Sequence, residues 1–94
     1  MLNKTELLNV IEKQIEYGKM ERANTNNVKL IKFYNGYVDT YETLAKNVPE
    51  NVNEVNEKRL AIHNYIRLNG NNSYKCGQNC ALMYLQVTME KANK

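Results

Sequence analysis

The chain has 94 residues, a net charge of +3 and 24% charged residues, which is the size of one small domain. One proline and four glycines are too few for a turn-rich β-sandwich. Basic and acidic side chains are interleaved along the chain and form no basic stripe. This pattern disfavours sequence-independent binding to nucleic acid, although it leaves open a ligand with one or two phosphates.

The composition also bears on location and origin. The N-terminal residues contain no apolar stretch of the signal-peptide kind, and no segment approaches the roughly 18 apolar residues of a membrane span. Two cysteines without a secretion signal favour a reducing compartment, so we expect a cytoplasmic protein. The chain is rich in residues with AT-rich codons, including 16 asparagines. This bias and the small size favour an accessory or inhibitor protein of a phage or other mobile element.

Four segments carry apolar residues at helical spacing, and none shows the sustained alternation of a strand. Helices are predicted over residues 4–22, 28–47, 51–69 and 74–91. Because the connections are short and the helices similar in length, neighbouring helices are expected to be antiparallel. The sequence therefore predicts an all-α fold, an antiparallel bundle of about four helices in a single domain, 1–94.

The first predicted helix begins with a capping box, because the Asn3 side chain is placed to accept from the amide of Glu6. Its apolar stripe ends at Gly18, which indicates a close crossing with another helix. The other members of that stripe are Leu7, Leu8, Ile11 and Ile15.

The second predicted helix has an apolar arc about 160° wide. Tyr34, Tyr37 and Tyr41 lie at the centre of that arc, whereas Gly36 lies on the opposite, polar side. Because a buried phenol needs a hydrogen-bond partner, the three hydroxyls require acceptors or donors on other elements.

The third predicted helix places a cation in an apolar stripe. Arg59 falls inside the stripe and His63 lies at its edge, four residues later, so the two side chains are stacked one above the other. If this helix is the neighbour of the second, Arg59 and His63 meet the three tyrosines. The candidate ligand- or partner-binding residues are therefore Tyr34, Tyr37, Tyr41, Arg59 and His63.

Three interpretations of this set remain open at this point. The residues form the core or a self-interface, they form a surface for a partner protein, or they line a pocket for a small ligand. In the third case the rings stack on nucleotide bases and Arg59 binds phosphate through two hydrogen bonds.

The fourth predicted helix is apolar on nearly all sides, and in a chain this short no helix is surrounded by its own chain. Cys76, Cys80, Met83, Tyr84 and Val87 form one apolar face. Leu82, Leu85 and Met89 form a second face, and we expect this second face to be an oligomer interface.

The two cysteines offer little chemistry. Cys76 and Cys80 are one helical turn apart, which does not give disulfide geometry. With His63 they supply three ligands, one fewer than a structural zinc site, so no metal or other cofactor is expected. A Cys–His pair would lie in mid-helix without an orienting acid. The sequence therefore predicts a non-enzymatic helical binding protein that acts through protein–protein contacts as a homo-oligomer. The alternative is a binder of a nucleotide or nucleic acid through the Tyr/Arg/His face.

Overall fold

The computed structural model describes residues 2–92. It contains four helices, α1 (Lys4–Ala23), α2 (Val28–Lys46), α3 (Val52–Asn69) and α4 (Ser73–Ala92), and no strand in that range. The predicted all-α bundle is confirmed, and each predicted boundary lies within a residue of the observed one. None of the helices in residues 2–92 has the length and apolar composition that a membrane crossing requires.

Asparagine caps explain why the predicted boundaries are close to the observed ones. The predicted capping box is present, because the Glu6 amide donates to Asn3 Oδ1 at 2.8 Å and the Asn3 amide donates to Glu6 Oε1 at 3.2 Å. The side chains of Asn27 and Asn51 also accept hydrogen bonds from backbone amides, at the starts of α2 and α3. The cap of α4 is Asn72, whose side chain accepts from the Lys75 amide at 2.8 Å. Ser73, the next residue, is the first residue of the helix.

The closest packing in the fold is between α2 and α4, which are not consecutive in the chain. Gly36 of α2 lies against the backbone of Tyr74 and Gln78, and Gly77 of α4 lies against the backbone of Phe33 and Tyr37. A Cβ atom at either glycine would overlap a backbone carbonyl of the other helix. Residue numbers increase together along this contact, so α2 and α4 run parallel.

The other two helices pack on opposite sides of this pair. Helix α1 packs against α2, and α3 packs against α4. The predicted close crossing at Gly18 is confirmed, since a Cβ there would lie 2.7 Å from Val38 Cγ2. Within residues 2–92, α2 and α3 do not pack along their lengths. The condition under which Arg59 and His63 meet the three tyrosines, packing of α3 along α2, is therefore not fulfilled, because the glycine contact brings α2 and α4 together instead.

The apolar core lies toward the end of the bundle at which α1 and α3 begin. It contains one fully buried phenol, Tyr41, among aliphatic side chains. Its other fully buried large residues are Ile11, Val38, Val55, Leu82 and Leu85. At the other end, where α2 and α4 begin, the glycine contact replaces side-chain packing and aromatic rings line the surface beside it.

Candidate functional site

The three tyrosines of α2 find their partners on α1 and α4. Tyr41 is fully buried, and its hydroxyl donates to the carbonyl oxygen of Ala81 at 2.6 Å. The hydroxyl of Tyr37 donates to Gln14 Oε1 on α1. Tyr34 is half-buried and packs edge-to-face against Tyr17, with ring centroids 6.3 Å apart.

The predicted Tyr/Arg/His face is not formed. Arg59 and His63 lie on α3, which packs against α4 and not against the tyrosine-bearing helix. The side chain of His63 is exposed. Arg59 does lie on the inner side of α3, and within residues 2–92 its buried Nε has no hydrogen-bond partner. The hydroxyls of Tyr37 and Tyr41 are instead satisfied by a glutamine and a backbone carbonyl, for which the sequence carries no signal.

The predicted oligomer interface on α4 also needs correction. Leu82, Leu85 and Met89 are at most 8% exposed and belong to the core of this chain. Met83, Tyr84 and Val87, on the other face, are between 43% and 46% exposed. The sequence identified both apolar faces of α4, but it had no means of choosing which one α2 and α3 cover.

We call this exposed apolar strip the outer face of α4, and its charge pattern is unusual. It consists of Cys76, Cys80, Met83, Tyr84 and Val87. No charged residue occurs between Lys75 and Glu90, although 24% of the whole chain is charged. A solvated helix surface normally carries charges opposite its buried stripe. Contiguous exposed apolar surface of this kind marks interaction sites in soluble proteins.

Beside the outer face, aromatic rings line a groove between α1, α2 and α4. The groove has a volume of about 500 Å³. The rings of Phe33 and Tyr34 are perpendicular, with centroids 5.2 Å apart, and Tyr17 stands at 78° to Tyr34. Tyr17 and Tyr84 are the most exposed of these rings, at 43% and 46%. The residues that line this aromatic section are Gln14, Tyr17, Phe33, Tyr34, Tyr37, Cys80 and Tyr84.

A second hollow, of about 580 Å³, lies next to the aromatic section, and Phe33 borders both. It contains two lysines of α2, Lys29 and Lys32, so we call it the lysine section. Within residues 2–92 the one ion pair joins Lys19 to Glu42, and both lysines of the hollow are therefore without a carboxylate partner there. Its complete lining is Lys29, Leu30, Lys32, Phe33, Asn71, Asn72, Ser73 and Cys76. The two sections adjoin at Phe33, which lines both, and we call them together the seam groove.

The fold also separates charge between the two ends of the bundle. The end at which α2 and α4 begin contains residues 20–32 and 66–78, with five basic side chains and one carboxylate, Glu21. The basic residues are Arg22, Lys29, Lys32, Arg67 and Lys75. The opposite end contains residues 2–10, 42–58 and 86–92, with six carboxylates and four basic side chains. The lysine section therefore lies at the basic end.

Tyr34, Tyr37 and Cys80 of the aromatic section hold their protons near pH 7. Burial raises the pKa of Tyr37 to about 12 and also raises the pKa of Tyr34 and, more strongly, of Tyr41. Burial likewise raises the pKa of the Cys80 thiol, which disfavours the thiolate that nucleophilic chemistry requires. Residues 2–92 contain no cluster of three or more His, Cys, Asp or Glu side chains that would hold a metal ion. Packing, stacking and charge are the properties that this surface offers.

Three ring positions of the groove, Tyr17, Phe33 and Tyr84, were missed as site residues from the sequence. The available signal was the pair of mid-helix glycines, Gly36 and Gly77. Glycine inside a helix costs about 1 kcal/mol relative to alanine, and it therefore indicates close approach of another backbone. That contact places α2 beside α4 and brings the rings of α1, α2 and α4 to one surface. Comparison with known proteins adds no relative, since no protein-family model, curated protein or solved structure matches the chain.

Proposed function

We propose that this protein is a small cytoplasmic binding protein that acts by contact and not by catalysis, and that it associates with a second copy of itself through the outer face of α4. The observation that carries the proposal is the exposure of this apolar face on a helix that has no charged residue between Lys75 and Glu90. The asparagine-rich composition favours an accessory or inhibitor role in a phage or other mobile element.

A second copy is the occupant that suits the outer face best. Cys76, Cys80, Met83 and Val87 follow one another at spacings of four, three and four residues, which is the spacing of a coiled-coil seam. In a two-fold symmetric dimer the same strip meets itself. The flanking Asn79 and Gln86 are uncharged, so two copies can approach without repulsion between like charges.

The first experiment is a measurement of mass in solution, by light scattering during gel filtration. The proposal predicts a mass of about twice the 11.0 kDa of the monomer. The double variant Met83→Lys/Val87→Lys is expected to restore the monomer mass, because it places like charges opposite each other in the dimer. The change leaves the buried face of α4 intact, so the circular dichroism spectrum is expected to stay helical.

The matched control is Leu68→Lys on α3. Leu68 is the most exposed large apolar residue of the chain, at 72%, and it lies away from α4's outer face. This variant is expected to retain the mass of the unchanged protein. A wild-type chain that stays monomeric up to about 100 μM would refute self-association. A dimer that persists in the double lysine variant would place the interface elsewhere.

The sequence predicts, as the alternative function, a nucleotide pocket formed by five residues, Tyr34, Tyr37, Tyr41, Arg59 and His63. Its aromatic and basic members lie on helices that do not pack against each other. The chemistry that it invoked, aromatic rings beside positive charge, occurs instead along the seam groove.

A further inference from the structure

We propose that the seam groove is a binding site for a nucleotide, with the base on the rings of the aromatic section and the phosphate at Lys29 and Lys32. The proposal does not rest on self-association, because the groove is built within one chain. Cys76, Cys80 and Tyr84 belong to both the groove and the outer face of α4, so a nucleotide and a second copy of the chain are expected to compete for them. A mononucleotide and a single-stranded nucleic acid share the recognised chemistry, a planar base linked to a phosphate.

The aromatic section presents a surface of tyrosine and phenylalanine rings. Tyr17 and Tyr84 are 43% and 46% exposed, and the half-buried Phe33 and Tyr34 line the same hollow. The ring of Phe33 is perpendicular to the ring of Tyr34. This packing restricts rotation of the two rings, so their faces keep fixed directions. Proteins that bind single-stranded nucleic acid use such platforms, because every base has a π-face that stacks on an aromatic ring.

The two lysines of the groove lie close to the aromatic rings. Lys29 lies one helical turn before Phe33 on α2, about 6 Å along the helix axis. Both lysines lie in the hollow that Phe33 shares with the rings, and neither has a carboxylate partner within residues 2–92. A ligand with a flat ring at one end and a negative charge at the other therefore matches the groove along its length.

The surface around the two groove lysines is also positively charged. The basic end of the bundle holds Arg22, Arg67 and Lys75 in addition to the two groove lysines, against one carboxylate. Clusters of one sign of charge raise the local concentration of oppositely charged ligands. An uncharged aromatic compound would make no use of these lysines, and an organic cation would be repelled by them.

The binding experiment uses isothermal titration calorimetry, because the nucleotides absorb light at the wavelengths that excite tyrosine fluorescence. The protein is titrated with AMP, adenosine, inorganic phosphate, an eight-nucleotide single-stranded DNA and RNA, and the matching duplexes. We expect AMP to bind more tightly than adenosine or phosphate alone. A single strand that binds more tightly than AMP would identify nucleic acid as the source of the nucleotide, and the reverse order would identify free nucleotide.

The variants separate the two halves of the groove. The double variant Lys29→Gln/Lys32→Gln is expected to lower the affinity for AMP toward that for adenosine. Its affinity for adenosine is expected to equal that of the unchanged protein. For a single strand, it is expected to reduce the slope of log K against log salt by about 1.4, since each phosphate contact contributes about 0.7. Tyr34→Leu is expected to weaken AMP and adenosine alike, by roughly ten-fold.

The controls lie outside the groove. Lys58→Gln lies at the acidic end, Tyr65→Leu removes an exposed ring on α3, and Arg59→Ala tests the face predicted from the sequence. All three are expected to bind AMP as the unchanged protein does. Thermal unfolding of each variant, followed by circular dichroism, shows that a loss of binding is not a loss of fold.

Several results would overturn the proposal. One is the absence of any heat of binding with millimolar nucleotide or with either single strand. Another is binding that survives both the double lysine change and Tyr34→Leu. Equal affinity for duplex and single strand would also exclude it, because bases inside a duplex are not available to stack on the rings. None of these results bears on the mass of the protein in solution, so the proposed self-association is tested separately.

Discussion

The phenol of Tyr41 shows how a polar group is accommodated in the centre of this core. Its ring packs edge-on against Tyr37, with centroids 5.0 Å apart, and its hydroxyl donates to the Ala81 carbonyl on α4. A helical carbonyl already accepts one backbone hydrogen bond, so the phenol uses its second lone pair. We expect Tyr41→Phe to lower the free energy of unfolding by only about 0.5–1.5 kcal/mol, measured by urea denaturation. A loss above about 3 kcal/mol would mean that the hydroxyl has a further role.

The buried phenols also predict how stability depends on pH. Tyr37 and Tyr41 hold their protons in the folded state above the ordinary pKa of 10.0, and the unfolded chain therefore loses these protons first. Below pH 10 the two groups leave the free energy of unfolding unchanged. Above pH 10 it falls, by about 1.4 kcal/mol per pH unit and group, and for Tyr37 the fall continues to a pH of about 12.

Thermal unfolding between pH 8 and 12 measures this dependence. The Tyr37→Phe/Tyr41→Phe variant is expected to lose stability less steeply above pH 10 than the unchanged protein. Tyr65→Phe, which removes an exposed phenol, controls for the loss of a phenol as such. Identical slopes for the double variant and the unchanged protein would show that alkaline unfolding has another origin.

At the scale of the helices, the contact between Gly36 and Gly77 determines which elements are neighbours. A methyl group at Gly77 meets the Phe33 carbonyl, which is backbone and cannot rotate away. We expect Gly77→Ala and Gly36→Ala each to destabilise the fold by about 2 kcal/mol or more, even though alanine gains about 1 kcal/mol in helix propensity. Denaturant unfolding measures both effects together.

Gly18→Ala is the matched control for these changes. The added methyl meets the flexible Val38 side chain and the edge of the Tyr37 ring. Because these atoms can shift by a few tenths of an ångström, the gain in helix propensity is expected to offset most of the strain. If Gly18→Ala proves as harmful as Gly77→Ala, the α2–α4 backbone contact is not the special feature of the fold.

The same glycines explain how far the fold was predictable. Caps and apolar spacing act within a helix, so Asn3, Asn27 and Asn51 mark the helix starts correctly. Gly36 lies on the side of α2 where most residues are polar. A helical-wheel projection therefore assigns that side to solvent. Since glycine buries backbone and not a side chain, its contact leaves no trace in apolar spacing. The order of the helices in space, and with it the candidate site, was therefore not accessible from periodicity.

At the scale of the whole molecule, α3 is the least firmly attached helix. Val55 is its single buried residue within residues 2–92, and the helix packs mainly on α4. We expect the amides of α3 to exchange with solvent through local opening, at a lower free energy than those of α2 and α4. Val55→Ala is expected to lower the protection of α3 further, by about 1–2 kcal/mol. Hydrogen exchange followed by NMR measures the protection of the amides in each helix. Equal protection of the amides in α3 and α2 would contradict this expectation.

The charge separation is likewise a property of the folded molecule only. Along the chain, basic and acidic residues are interleaved, and this argued against a basic surface. The antiparallel succession of helices then brings Arg67 and Lys75 to the same end as Arg22 and Lys29, although a long stretch of sequence separates the two pairs. Linear charge patterns therefore underestimate how basic a surface can become when the turns of a bundle gather at its ends.

The parallel contact between α2 and α4 also bears on how fast the chain folds. Parallel helices cannot be joined by a short turn, so α3 and its two flanking loops form the connection between them. The Tyr41–Ala81 hydrogen bond spans 40 residues, and the conformational entropy of closing that loop must be lost before the contact forms. Bundles built from successive hairpins close shorter loops and fold faster. We therefore expect the docking of the glycine pair, the tightest contact in the molecule, to limit its rate of folding.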